Sequence, residues 1–206
     1  MMLNKLTDKE LAKLIDGAKV LEGDSFGPKV YRLADGNILK LFRRKRLFSS
    51  ALLQPYSMRF LDNAKRLQKL GIPTLAPING FQLQKPGMTA VLYQPLHGET
   101  LKDIYFTAPE RLREQLPALA VFIRKLHRMG IYFRSLHLGN IVLTPEGELG
   151  LIDIADLNIQ RYALSKAKRK RNLAHFERLL KTLENPGWFP FTELSTAVLS
   201  DQPASN

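Results

Sequence analysis

Apolar positions in this chain follow two alternating periods, and the switches between them mark out its elements. Leu11, Leu14 and Ile15 share one side of a short helix predicted over residues 9–16, capped by Thr7 or Asp8 and ended by Gly17. The period then drops to two. Residues 18–21, 29–33 and 38–42 read as three strands joined by turns at 22–28 and 34–37, an antiparallel meander. Helical spacing returns over residues 51–70, with Leu53, Phe60, Leu61, Ala64, Leu67 and Leu70 as its buried side and Gly71-Ile72-Pro73 as its stop. Two more strands follow at 78–83 and 89–94.

After Pro95 the texture changes. Residues 95–99 read as a connector, residues 100–105 and 111–129 as helices closed by Gly130, and residues 131–140 as a loop. A hairpin over 141–154 comes next, then a basic amphipathic helix over 162–183 and a frayed tail at 201–206. The expectation is an α+β chain: a strand-rich N-terminal lobe over 1–95, with five strands and one helix, and a helical C-terminal lobe over 96–200.

Composition narrows the chemistry. The 206 residues contain no cysteine, which removes thiol nucleophiles, disulfides and Cys-based metal centres together. No apolar stretch approaches the ~20 residues of a membrane span, and Asp8, Lys9 and Glu10 interrupt the N-terminus where a secretory signal would be apolar. A cytoplasmic protein is expected. The 31 Lys and Arg against 19 Asp and Glu leave a formal charge of +12, gathered in two runs at 43–46 and 166–171. Such runs attract phosphate-rich partners or are simply solvated faces. RNA is disfavoured, since no stacking aromatics or recognised RNA-binding module accompany the charge.

Two segments carry chemistry. In the first, Gly23, Ser25 and Gly27 form a glycine turn whose backbone N–H groups can approach phosphate oxygens, and Lys40 follows on a strand where Leu39 and Leu41 point the other way. The second runs Leu136-His137-Leu138-Gly139-Asn140-Ile141-Val142-Leu143, then Leu149-Gly150-Leu151-Ile152-Asp153-Ile154-Ala155-Asp156. Asn140 and Asp153 lie 13 positions apart across a short hairpin. Their amide and carboxylate oxygens can therefore converge, a pair suited to Mg²⁺, which takes few protein ligands.

The pattern Leu-His-x-Gly-Asn-Ile-x-Leu followed by Leu-Ile-Asp-Ile-Ala resembles the catalytic loop and metal motif of the protein-kinase-like superfamily. Leu70-Gly71-Ile72-Pro73-Thr74 and Tyr132-Phe133-Arg134-Ser135-Leu136-His137 are most similar to the lipopolysaccharide-core (Kdo/heptose) sugar kinases of Gram-negative bacteria and their small toluene-tolerance-type relatives. The resemblance implies a bilobal protein-kinase-like fold using ATP and Mg²⁺ to phosphorylate a sugar of a lipopolysaccharide-core intermediate or another anionic acceptor. It also implies a place at the cytoplasmic face of the inner membrane, with the basic runs meeting anionic headgroups. On it, Lys40 contacts the α/β phosphates and Gly23, Ser25 and Gly27 cover them. Gln94 and Leu96 of the connector join the nucleotide site, and Asn140 and Asp153 hold the metal.

The departures are as specific as the matches. The family's proton-accepting Asp stands five positions before the metal-binding Asn, and here that position is Ser135. His137 and Asp156 are the candidate substitutes. The helix after the lysine strand normally offers a Glu to that lysine; Asp62 is the only acidic residue between Lys40 and Glu99. Three readings compete: a phosphotransferase of unusual catalytic loop, an inactive pseudokinase used as a nucleotide-binding or scaffolding module, and a Ser/Thr protein kinase. The last is disfavoured by the short stretch after Asp153.

Overall fold

A computed structural model describes residues 3–43, 55–184 and 186–200. Three expectations lie wholly or partly outside them: most of the first basic run (44–46), the start of the second helix including Leu53, and the tail. The chain divides into two compact units, Met1–Leu96 and His97–Asn206.

The first unit is built on a sheet in the order β1-β5-β6-β4-β3-β2. Its strands are β1 (Asn4–Leu6), β2 (Lys19–Asp24), β3 (Gly27–Arg32), β4 (Ile38–Arg43), β5 (Ala76–Leu83) and β6 (Met88–Gln94). The expected five strands become six because residues 4–6 pair in parallel with Phe81–Leu83 of β5. All other pairings are antiparallel. Leu33, Leu39, Leu41, Leu83 and Ala90 make one face of the sheet, and Leu6, Leu11, Leu14 and Ile15 pack on it. Helix α1 (Asp8–Leu14) is held there by a reciprocal cap: Glu10 N–H donates to Thr7 Oγ1, and Thr7 N–H to Glu10 Oε2 at 2.8 Å.

The opposite face meets α2 (Tyr56–Lys69), whose Phe60, Leu61, Ala64 and Leu67 are fully buried. Burying each Leu or Phe contributes about 1.5–3 kcal/mol, which outweighs the weak helix start at Pro55, where no side chain caps. Leu70, expected among the buried positions, is only half-buried, because it already caps the helix. Phe60 stacks obliquely on Phe42 and Tyr93 at centroid distances of 5.5 and 5.4 Å.

The second unit contains β7 (Glu99–Thr100), α3 (Leu101–Thr107), α4 (Pro109–Glu114), α5 (Leu116–Arg128) and β8 (Ile131–Phe133). β9 (Ile141–Leu143), β10 (Leu149–Leu151), β11 (Leu157–Ile159), α6 (Lys166–Leu180) and α7 (Phe191–Leu199) complete it. The single helix expected over 111–129 is two. Pro117 has no N–H and its ring blocks the carbonyl four residues back, so it is tolerated only in a first turn, and α5 starts one residue before it. The basic helix begins at Lys166 rather than 162, because Ser165 Oγ accepts the Lys168 N–H and sets the N-cap. Helix α7 was not expected. It presents Leu194 and Val198 inward, beside an aromatic cluster in which Trp188 stacks on Tyr105 at 4.8 Å and Phe176 on Phe191 at 6.2 Å.

Gly130 needs its glycine. Its φ is +73°, and a Cβ there would lie 2.5 Å from the Tyr162 carbonyl and 2.7 Å from that of Gln160. The tight turn it permits delivers the chain from α5 directly into β8.

Candidate active site

Two short antiparallel ladders bracket the segment that carried the sequence motif. β8 pairs with β11, Phe133 opposite Leu157, and β9 pairs with β10, Ile141 opposite Leu151. The backbone between them is clipped together: Ile152 N–H donates to the Asn140 carbonyl at 3.1 Å, and Asn140 N–H to the His137 carbonyl at 2.9 Å. Asp153 therefore stands one residue beyond a direct bond to Asn140.

Asn140 is 7 % exposed, and its Nδ2 donates to the Ser135 carbonyl at 2.9 Å. That bond fixes the amide so that Oδ1 is left as the acceptor, the atom a hard cation would use. Asp153 is exposed and adopts φ 52°, ψ 45°, the only non-glycine residue with positive φ among those described. Asp tolerates this left-handed conformation better than most side chains, yet it costs about 1–2 kcal/mol. Oxygen donors from Asn140 and Asp153, with no third protein ligand grouped among the described residues, fit Mg²⁺, which keeps waters and substrate phosphates in its shell.

Position 135 is connected to a carboxylate after all. Ser135 Oγ donates to Asp156 Oδ2 at 2.5 Å, and the Arg134 guanidinium lies 3.9 Å from the same oxygen. Asp156 reaches it because the turn of residues 154–156 folds the chain back before β11. His137 is placed otherwise: its Nδ1 accepts the Gly139 N–H at 3.1 Å, capping the short helical turn of residues 138–140. With Nδ1 engaged, the neutral ring carries its proton on Nε2 and presents a donor.

Beneath the loop, Asn172 of α6 uses both ends of its amide. Nδ2 donates to the Phe133 carbonyl at 2.7 Å, so Oδ1 accepts from His127 Nε2 at 3.0 Å. Sequence reading missed this buried polar tie between α5, α6 and β8, which has no local period. It also missed Lys102, which with His137, Leu138, Gly139 and residues of α6 lines a cavity of about 120 Å³ beside the loop. At well under the roughly 300 Å³ of a small-molecule pocket, it admits one chemical group rather than a whole sugar.

Burial lowers the His127 imidazole below its ordinary 6.5, and Arg169 adds to this against the Asn172 bond. Burial likewise lowers His137, helped by Lys102 and opposed by Asp153 and Asp156, while His175 is lowered by burial and by Arg178, Arg134 and Arg171. Well above pH 6.5 the folded and unfolded chains bind equally few protons at these rings; as the pH falls toward and below it, the unfolded chain takes up protons that the folded one refuses. Stability is therefore expected to fall as pH drops below about 6.5. Thermal unfolding at pH 7.5, 6.5 and 5.5, read by the fluorescence of Trp188, the one tryptophan, checks it. A midpoint unchanged over that range would contradict it.

In the first unit, the hairpin β2–β3 turns through Ser25 and Phe26, with Asp24 opposite Gly27 and Gly23 opposite Pro28. A Cβ on Gly23 would meet the Gly27 carbonyl at 3.3 Å, so the two strands approach closely there. Asp24 Oδ1 accepts the Phe26 N–H at 2.9 Å and the Arg43 guanidinium at 2.6 Å, and these contacts hold its carboxyl below the usual range, the backbone bond most. Phe26 stands at the tip, 78 % exposed. Lys40 is half-buried on the α2 face of the sheet, with Nζ 5.8 Å from the Phe42 ring centroid and 5.7 Å from that of Phe60. Asp62 lies half-buried on α2, Gln94 is the last residue of β6, and Leu96 closes the unit two residues later.

No curated protein matches the chain. Among solved structures, a co-crystal structure of WbdD with the kinase inhibitor LY294002 superposes with a TM-score of 0.50 at 13 % identity, covering 82 % of this chain and 42 % of that one. The chain thus spans under half the length of that relative, and the likeness speaks for the fold alone. The family description "Lipopolysaccharide kinase (Kdo/WaaP) family" matches residues 21–194, from the strand before the glycine turn to the last helix. A kinase-like fold, a lysine strand and a clipped Asn–Asp loop in one continuous match leave one conclusion: this chain belongs to the lipopolysaccharide kinase (Kdo/WaaP) family.

Proposed function

We propose that the protein transfers the γ-phosphoryl group of ATP to a hydroxyl of a lipopolysaccharide-core sugar, and that Asp156, through Ser135, accepts the proton. Family membership supports a kinase-type phosphotransferase. The single observation behind the finer reading is the 2.5 Å bond from Ser135 Oγ to Asp156.

On the family pattern Lys40 contacts the α/β phosphates, Gly23, Ser25 and Gly27 cover them, Asp62 partners the lysine, and Gln94 and Leu96 take the base. Asn140 and Asp153 would hold Mg²⁺. When bound, that ion neutralises charge on the phosphate oxygens. The acceptor hydroxyl donates to Ser135 Oγ, which has lone pairs free while it donates to Asp156. As the acceptor oxygen bonds to the γ phosphorus and the bond to the β-phosphate oxygen breaks, the acceptor proton passes to Ser135 and the serine proton to Asp156 Oδ2. The products are the phosphorylated sugar and ADP. Residues Lys166, Lys168, Lys170 and Arg171 are exposed on α6 and can meet an anionic acceptor or lipid face.

Thermal unfolding with ATP plus Mg²⁺ tests the nucleotide site. At a hundredfold excess over Kd, binding contributes about 2.7 kcal/mol, an expected rise of roughly 5–10 °C. No rise at millimolar ATP would overturn the reading. A second reading, a nucleotide-binding module without turnover, draws on the serine at position 135. It is distinguished by a rise in midpoint with no phosphate transferred to core-oligosaccharide acceptors.

A further inference from the structure

Two nitrogen donors on the small cavity beside the loop are left without partners. Lys102 stands in the first turn of α3, and the carboxylate next to it, Asp103, is taken up by Thr100, whose Oγ1 donates to Asp103 Oδ2 at 2.7 Å and accepts the Asp103 N–H at 3.0 Å. Lys102 itself makes no ion pair or hydrogen bond among the described residues. His137 spends Nδ1 on the Gly139 N–H, so its proton is on Nε2, which bonds nothing among the described residues and is not sealed from water. Both side chains border the same glycine: a Cβ on Gly139 would lie 3.2 Å from the His137 ring and 3.5 Å from Lys102 Cδ.

The rest of the lining says what fits. Thr182 gives its hydroxyl proton to the Leu179 carbonyl at 2.6 Å, Phe176, Leu180 and Leu183 are apolar, and no described lining residue carries a carboxylate. One cation and one neutral N–H donor against apolar walls suit an anion. A carboxylate matches them best, since it has a single negative charge and one oxygen for each donor. A phosphate monoester brings a third oxygen and close to a second charge, which would be left against leucine and phenylalanine.

The position says whose carboxylate it is. Ser135 and His137 are two residues apart, at most about 7 Å along the backbone. Asp156, which holds Ser135, also acts electrostatically on the His137 ring. A hydroxyl at Ser135 and a carboxylate in the cavity can therefore belong to one sugar unit. We infer that this cavity is an acceptor subsite selecting an acidic sugar, in which Lys102 Nζ pairs with one carboxylate oxygen and His137 Nε2 donates to the other. Assigning the carboxylate to the acceptor rests on the phosphotransferase reading, whereas its binding in the cavity does not.

Titrating the full chain at pH 7.5 with glucuronate and, at matched ionic strength, with glucose and glucose 6-phosphate tests it, following the His137 ring signals by NMR. The expected result is a saturable His137 shift with glucuronate, glucose binding weaker by roughly tenfold or more, and glucose 6-phosphate weaker than glucuronate. Lys102→Gln, at an exposed position, is expected to weaken glucuronate roughly tenfold or more while leaving the ATP–Mg²⁺ rise in midpoint intact. Glucuronate binding without any ATP–Mg²⁺ rise would remove the phosphotransferase reading, and the acceptor with it, but keep the carboxylate site. An unmoved His137, glucose or glucose 6-phosphate bound as tightly as glucuronate, or a Lys102→Gln protein that binds as the parent does would each overturn the subsite while the ATP–Mg²⁺ rise stands.

Discussion

Replacing Asp153 by Ala, Asn or Gly is expected to lower phosphoryl transfer by about 10²–10³-fold or more, because each removes the carboxylate that would hold Mg²⁺, the ion that neutralises charge on the transferring group. The three differ in stability, and the difference separates backbone from charge. Asp153 is held at φ 52°. Glycine relieves that conformation, asparagine tolerates it, and alanine neither relieves it nor bonds locally. Asp153→Gly should unfold at higher denaturant than Asp153→Ala, by about 1 kcal/mol, although both should lose transfer to the same extent. Urea unfolding with phosphate-transfer assays on the same preparations checks both halves. An Asp153→Ala protein that keeps its ATP–Mg²⁺ rise in midpoint would sink the metal assignment.

Asp156→Asn should cost about 10²–10⁴-fold in kcat with little change in KM for ATP, the usual span for losing a proton acceptor. Ser135→Ala should cost less, since a water can occupy the place of Oγ and carry the proton between acceptor and Asp156. The sharpest variant is Ser135→Asp. It places two carboxylates side by side, so that one holds a proton near neutrality and the pH profile of kcat moves upward. If Asp156→Asn turns over as fast as the parent, another group accepts the proton.

The long apolar periods were legible, and so was the motif that they frame. Phe60, Leu61, Ala64 and Leu67 repeat at helical spacing and are buried, and the hairpin between Asn140 and Asp153 was readable from its turn residues. What escaped was made by distance along the chain. Residues 4–6 become a strand only because residues 81–83 lie beside them, and residues 131–133 only because 157–159 do. Three residues carry no period of their own. The contact between Ser135 and Asp156 escaped for a related reason: it depends on a left-handed residue and a single tight turn, neither of which leaves a pattern of polar and apolar letters. Pro117 was visible, but its consequence was not, since a proline is as much at home in a first turn as it is disruptive in a fourth.

The two borders of the main sheet carry a consequence for how copies of this protein behave when crowded. One border, β1, is three residues long and bears Asn4 and Lys5 on its exposed positions. The other, β2, is exposed along its whole length, but its register breaks on either side of Glu22, and Lys19, Glu22 and Asp24 stud it with charge of both signs. A neighbouring chain seeking to extend the ladder would find too few rungs on one side and a kinked, charged rail on the other. A sheet with a strongly apolar interior is thereby kept from growing into its neighbours.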